Sequence, residues 1–305
     1  MVNARSLPIS AVERETGLSK ETLRAWERRY GFPSPVRDAL GERSYPLPQI
    51  EKLRLVKRLV DAGMRPGRLA SLSIDALTRL GEQVAGEDAL LEPPSMPALA
   101  ALMDSVRDHD VLRLRGQLRQ AQTLLGLSAF VIEVVAPLNK LVGDAWMRGQ
   151  IAIFQEHIYT EAMQAVLRAA IHSLPEAGAR QQPRVLLGTL PGEPHGLGLL
   201  MAEAIFVAEG ASCIPLGVQT PVWDLALAAG ACRADLLALS FTGCMPPNQI
   251  VQALAELRDK LPPATQVWAG GAAPVLHRRP VPGVQAMKAL DELPGALQRW
   301  RASQT

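Results

Sequence analysis

Cysteine is scarce in this chain of 305 residues: Cys213, Cys232 and Cys244 stand far apart, at no spacing that a metal site uses. Neither a disulfide framework nor a zinc-binding cysteine set is indicated, and the three thiols are expected to be buried. Although 48% of the residues are hydrophobic, no apolar run approaches the length that crosses a bilayer. The opening residues, MVNARSLPIS, lack the apolar core of a secretion signal. A cytoplasmic protein with no membrane partner is therefore expected, with room for two or three domains. Net charge is small as well, only +2, but it is unevenly spread. Residues 1–70 carry 14 Lys and Arg against 8 Asp and Glu, an excess of six that leaves the remainder at −4. That split points to a head that binds nucleic acid.

The head can be read residue by residue. Residues 7–16, LPISAVERET, have helical apolar spacing with Ser10 placed to cap them. Gly17 interrupts, and Ser19 with Thr22 restarts a helix over 21–30 as a partial capping box. That second helix carries Arg24, Arg28 and Arg29 among Leu23, Trp26 and Tyr30, the pattern of a helix-turn-helix. Residues 37–45 read as a hairpin wing presenting Arg37 and Arg43 to phosphates. A third helix, 47–62, turns Ile50, Leu53, Leu55, Val56 and Leu59 inward. The string from Leu23 to Pro35, followed by Arg37, Gly41, Arg43 and Tyr45, closely resembles the winged-helix head of the MerR regulators. The resemblance implies that Arg24, Arg28 and Arg29 face the major groove of operator DNA. Arg43 and Tyr45 would hold the backbone, with Tyr30 and Arg37 in the same DNA-contact set.

Residues 1–80 are thus expected as the head and 81–97, rich in acid, glycine and proline, as a linker. Regulators of this class usually continue into one long dimerisation helix, and this chain does not. Helical patterns at 98–108, 111–124, 128–149 and 151–174 suit a four-helix bundle spanning 98–180. From residue 181 to the end, strands and helices alternate. Strands are expected at 185–190, 212–218, 236–241, 266–269 and 284–287, and helices at 197–209, 221–231, 247–261 and 291–301. This is the rhythm of a Rossmann-like, flavodoxin-like α/β sheet of about five parallel strands.

The chemistry concentrates in the first strand-to-helix loop, 184–198, RVLLGTLPGEPHGLG. Ligands of such sheets sit beyond the carboxyl ends of the strands. A ligating histidine needs its second nitrogen held by an acceptor, and Glu193 is placed to hold His195. Gly198 removes a side chain where a flat ligand would press on the helix start. The run Glu193-Pro194-His195-Gly196-Leu197-Gly198 resembles the Asp-x-His-x-x-Gly signature of cobalamin-binding domains, with Glu for Asp. In that family the histidine is the lower axial ligand of cobalt and displaces the cofactor's own nucleotide base. The family also places Ser-x-Leu and Gly-Gly at later strand ends, lining a slot for the nucleotide tail. Ser240 and Gly270-Gly271 match, whereas Thr242 stands where the family has Leu.

Trp146, followed after nine residues by Glu156-His157, resembles the bundle that caps the cofactor in light-sensing cobalamin-dependent repressors. A tryptophan can lie flat over the upper face and exclude water, and Glu156 and His157 could bond the upper ligand. Those repressors have a histidine after the tryptophan, and this chain has Met147. The order of the three parts is that of light-dependent repressors of carotenoid genes. The resemblance implies a non-enzymatic homo-oligomer, dimer or tetramer, on double-stranded operator DNA. Its cofactor would be cobalamin, with the adenosyl form expected first and methylcobalamin or another tetrapyrrole as the alternatives. A regulator sensing cobalamin, haem or redox state without light stands as the alternative. A cofactor carrier of an enzyme is disfavoured, because no substrate domain is legible. A dinucleotide-binding protein is disfavoured because the loop is not Gly-x-Gly-x-x-Gly.

Overall fold

The computed structural model describes residues 6–37, 41–61, 63–85, 97–174 and 182–304. They form two compact units, Met1–Leu91 with Met147–Gln150, and Glu92–Trp146 with Ile151–Thr305.

The first unit begins with a short strand, β1 (Ser6–Pro8), and α1 (Ile9–Thr16). Ser10 does not cap α1 as expected. Pairing of β1 with β3 holds the chain extended as far as Pro8, which takes the cap position without a side-chain bond and leaves Ser10 inside the first turn. The second helix, α2 (Lys20–Tyr30), starts as expected, with Ser19 Oγ accepting the Thr22 N–H at 3.1 Å. Gly17 and Gly31 end α1 and α2 at φ +67° and +66°, left-handed conformations that glycine adopts without strain. The wing is β2 (Val36–Arg37) and β3 (Arg43–Pro46), and the antiparallel sheet runs β1-β3-β2. Then come α3 (Leu47–Asp61), α4 (Pro66–Leu69) and α5 (Ile74–Ala85). The last of these runs into the segment read as linker, whose residues 86–96 lie outside the described ones. Val12, Leu23, Trp26, Ile50, Leu53, Val56 and Leu59 close one core, with Leu55 at its margin.

The second unit opens with α6 (Pro97–Arg107) and α7 (Val111–Leu125), the latter capped by Asp110. The third helical pattern is a single run: α8 (Leu127–Phe130), a π-helical stretch (Val131–Val135) and α9 (Ala136–Met147). The bundle closes with α10 (Ile153–Ser173). The alternating part follows as β4 (Arg184–Gly188), α11 (Leu197–Ala208), β5 (Ser212–Gly217), α12 (Val222–Ala231), β6 (Leu236–Phe241) and α13 (Pro247–Lys260). It ends with β7 (Gln266–Gly271), a short α14 (Val275–Arg278), β8 (Val284–Met287) and α15 (Glu292–Ala302). Strand β7 passes the expected end at 269, because Gly270 and Gly271 pair with Ser240 and Phe241.

All five strands are parallel, in the order β5-β4-β6-β7-β8. The order reverses at β4, so a crevice opens beyond the carboxyl ends of β4 and its neighbours, where this class of sheet binds ligands. The bundle is not a separate layer. Leu118, Phe130, Val135 and Tyr159 belong to the same buried cluster as Leu197, Phe206, Trp268 and Trp300.

Candidate functional site

The β4–α11 loop is fastened before it reaches the histidine. Thr189 is fully buried; its hydroxyl donates to Glu193 O at 2.6 Å and accepts from Gln219 N at 2.8 Å. This stitches the loop to the one after β5 and turns Glu193 inward.

The Glu193 side chain is 0% exposed, yet both its oxygens are bonded. His195 Nδ1 lies 2.7 Å from Oε1, the Thr242 N–H donates to Oε2 at 2.7 Å, and the Thr242 hydroxyl lies 2.9 Å from each oxygen. Burial pushes the Glu193 carboxyl up, but the bonds from His195, Thr242 and Cys244 together outweigh it and hold the group below its ordinary value. An ionised carboxylate accepts only, so the proton between the two sits on Nδ1, and in the neutral ring the lone pair is then on Nε2. The His195 side chain is 49% exposed, leaving it within reach of a ligand. A buried anion on one nitrogen with a lone pair on the other is the donor arrangement of a metal-ligating histidine.

The surrounding positions are tight. A Cβ on Gly198 would stand 2.7 Å from Ser240 Oγ, and one on Gly271, at φ +116°, would stand 2.1 Å from Phe241 O. Gly270 is less demanding, since its nearest neighbour would be 3.5 Å away. Ser240 is buried at the end of β6 and faces Gly270 in register.

On the bundle, Glu156 accepts at both oxygens, from Thr160 Oγ1 at 2.7 Å and against His157 Nδ1 at 2.7 Å. His157 is 70% exposed near the start of α10. Trp146 is half-buried against the core shared by bundle and sheet. Met147 goes the other way: it belongs to the first unit and packs against that unit's core.

In the head, Arg24, Arg28 and Arg29 are exposed on α2, and the Arg29 guanidinium sits 5.4 Å from the centre of the half-buried Tyr30 ring. Arg37 is exposed and donates to Gly41 O. The last two expected DNA contacts are placed differently. Arg43 Nε donates to Glu27 Oε2 at 2.9 Å, tying wing to α2. Tyr45 is 0% exposed, because β3 turns it to the core opposite Leu7, and its hydroxyl has no partner among the described residues.

One contributor, Cys244, escaped the sequence reading, and Thr242, expected at the cofactor site, plays a part there that was not expected. Thr242 counted as a mismatch and is the principal holder of Glu193. Cys244 counted as a buried thiol, but all three cysteines are only half-buried. Its Sγ donates to Gly192 O at 3.4 Å. The signal for both was position, since each follows the end of β6, where the crevice opens.

Two family models match the chain. One described as the MerR HTH family regulatory protein covers residues 7–72, and one described as the B12 binding domain covers residues 98–171. The chain is 30% identical over 276 residues to the HTH-type transcriptional repressor CarH of Myxococcus xanthus, covering 90% of this chain and 91% of that protein. It is 29% identical over 252 residues to the repressor CarA of the same organism, covering 82% of each. Among solved structures, the Methanosarcina barkeri monomethylamine corrinoid protein matches with a TM-score of 0.51 at 18% identity. That match covers 65% of this chain and 96% of the other, and it shows a shared fold. A MerR-type head followed by a B12-binding domain defines the class, and the chain belongs to the CarH family of HTH-type transcriptional repressors. No helix among the described residues is long and apolar enough to cross a membrane.

Proposed function

We propose that this protein is a cobalamin-dependent, light-responsive repressor whose hold on operator DNA is switched by the state of the cofactor. The observation that carries the reading is the Glu193–His195 pair at the switch point of the sheet, with Nδ1 held 2.7 Å from the buried carboxylate. His195 would ligate cobalt from below in place of the cofactor's own base, with Glu193 and Thr242 orienting the ring. Gly198, Ser240, Gly270 and Gly271 would line the slot for the nucleotide tail. Trp146 would exclude water from the upper face, and Glu156 and His157 would bond the upper ligand. The proposed form is adenosylcobalamin, which would supply a cobalt–carbon bond that light can cleave.

On the DNA side, Arg24, Arg28, Arg29 and Arg37 would contact the operator, with Arg43 bracing the wing rather than binding. One head binds weakly, and joining several in a homo-oligomer raises the effective concentration of the others. The protein acts in the cytoplasm as a regulator, not an enzyme. Met147 favours a second reading. Met147 rather than an imidazole directly follows Trp146, so a sensor of cofactor availability without light is the rival.

The test is to load the protein with adenosylcobalamin in the dark, then record its spectrum, its size and operator binding before and after illumination. Loss of the alkyl spectrum with release of DNA supports the photosensor. Cofactor-dependent DNA binding that light leaves unchanged supports the rival.

A further inference from the structure

The same crevice holds a second set of donors. Glu193, His195 and Cys244 each present a ligand atom, and the three atoms lie within 4.8 Å of one another. The first two come from the β4–α11 loop and the third from the β6–α13 loop. The imidazole nitrogen turned toward Glu193 is Nδ1, 2.7 Å from its Oε1. A half-exposed ring leaves a way in from solvent, while the Thr242 N–H keeps the other carboxylate oxygen fixed at 2.7 Å. One oxygen, one nitrogen and one sulfur suit zinc and ions of similar softness, and not magnesium or calcium, which demand oxygen.

We propose that the cofactor-free chain binds one zinc-like divalent ion through Glu193, His195 Nδ1 and Cys244 Sγ, and that this ion and cobalamin exclude each other. The ion would take three protein ligands, with its fourth position open to water. The exclusion is a matter of tautomers. Cobalt ligation by Nε2 requires the ring proton on Nδ1, where Glu193 accepts it. An ion on Nδ1 moves that proton to Nε2 and removes the lone pair cobalt needs. The thiol proton of Cys244 is released to solvent, so one proton leaves per ion bound, and the dication meets one carboxylate and one thiolate. The ion site stands on these donors alone, whereas the exclusion rests on the cobalamin reading.

The experiment uses the full-length, cofactor-free protein with Co2+ as the probe. A thiolate-to-cobalt charge-transfer band in the near ultraviolet should appear, be bleached by Zn2+, and be absent from both Cys244→Ser and Cys244→Ala. With free Zn2+ at about ten times its dissociation constant, hydroxocobalamin affinity of the wild type should fall about ten-fold. Cys244→Ser should bind hydroxocobalamin equally with and without Zn2+. No band, or a band that survives in both cysteine variants, overturns the site; unchanged hydroxocobalamin affinity in Zn2+ overturns the exclusion. A metal-free protein that takes up no cobalamin at all counts against the proposed function, and the charge-transfer band then still decides the ion site.

Discussion

Thr242 grips Glu193 through two groups at once, its backbone N–H on one carboxylate oxygen at 2.7 Å and its hydroxyl 2.9 Å from both. The two departures from the cobalamin-binding signature, Glu for Asp and Thr for Leu, therefore meet in a single cluster. The longer acid reaches across from the β4 loop, and the hydroxyl meets it at the end of β6.

Removing that hydroxyl should loosen the histidine rather than unfold the sheet. Thr242→Val is expected to weaken cobalamin binding about 10–100-fold, the usual cost of losing a group that orients a metal ligand. Thr242→Ser should restore most of it. Equilibrium titration followed by absorbance checks this, and a valine variant with wild-type affinity would show that Thr242 does not orient the site.

Glu193 should also shape stability in acid. Its folded carboxyl titrates below the ordinary value, so its contribution is complete above the unfolded pKa, about 4.3, and is lost as pH falls through the lower folded value. Urea denaturation of cofactor-free protein should show wild type more stable than Glu193→Gln at neutral pH. The gap should close on the acid side of that range. A gap that is constant with pH, or widens in acid, would contradict the assignment of an ionised Glu193.

The head offers a separation of roles that can be measured. Tyr45→Phe removes a buried hydroxyl without a partner among the described residues, so stability should hold or rise, by up to about 1–3 kcal/mol, with the salt dependence of DNA binding unchanged. Arg43→Ala should lower the melting temperature by releasing Glu27, whereas Arg24→Ala should leave it alone and weaken operator binding. Where an arginine reads a base, the expected cost is about 1–3 kcal/mol with blurred specificity. Where it meets a phosphate, the slope of affinity against salt should fall by roughly one unit. A lower salt slope in Tyr45→Phe would return that residue to the DNA surface.

Much of the architecture was legible because it is local. Strands β6 and β8 occupy the residues their apolar runs mark, and Ser19 caps α2 because capping depends on residues three apart. What escaped depends on partners far along the chain. The start of α1 is set by β1 pairing with β3, which no pattern within 7–16 reveals. Tyr45 faces inward because of the same register, and a lone tyrosine in a short strand carries no record of which side is core. The bonds of Thr242 to Glu193, and the place of Cys244 beside them, follow only when β4 and β6 lie side by side and bring residues some fifty positions apart into one crevice. His195 itself was readable, since its acceptor is two residues away.

The buried cluster that runs from Leu118 and Tyr159 to Phe206 and Trp300 has a consequence for how such proteins diversify. Helix α11 carries His195's loop at its start and packs against bundle and sheet alike, so neither partner can be exchanged without recutting the surface of the other. Bundle and sheet must travel through recombination as one cassette. New sensors built from this cassette would then arise by changing the crevice and the cap residue by residue, while the chemistry around His195 is inherited with the helices that cover it.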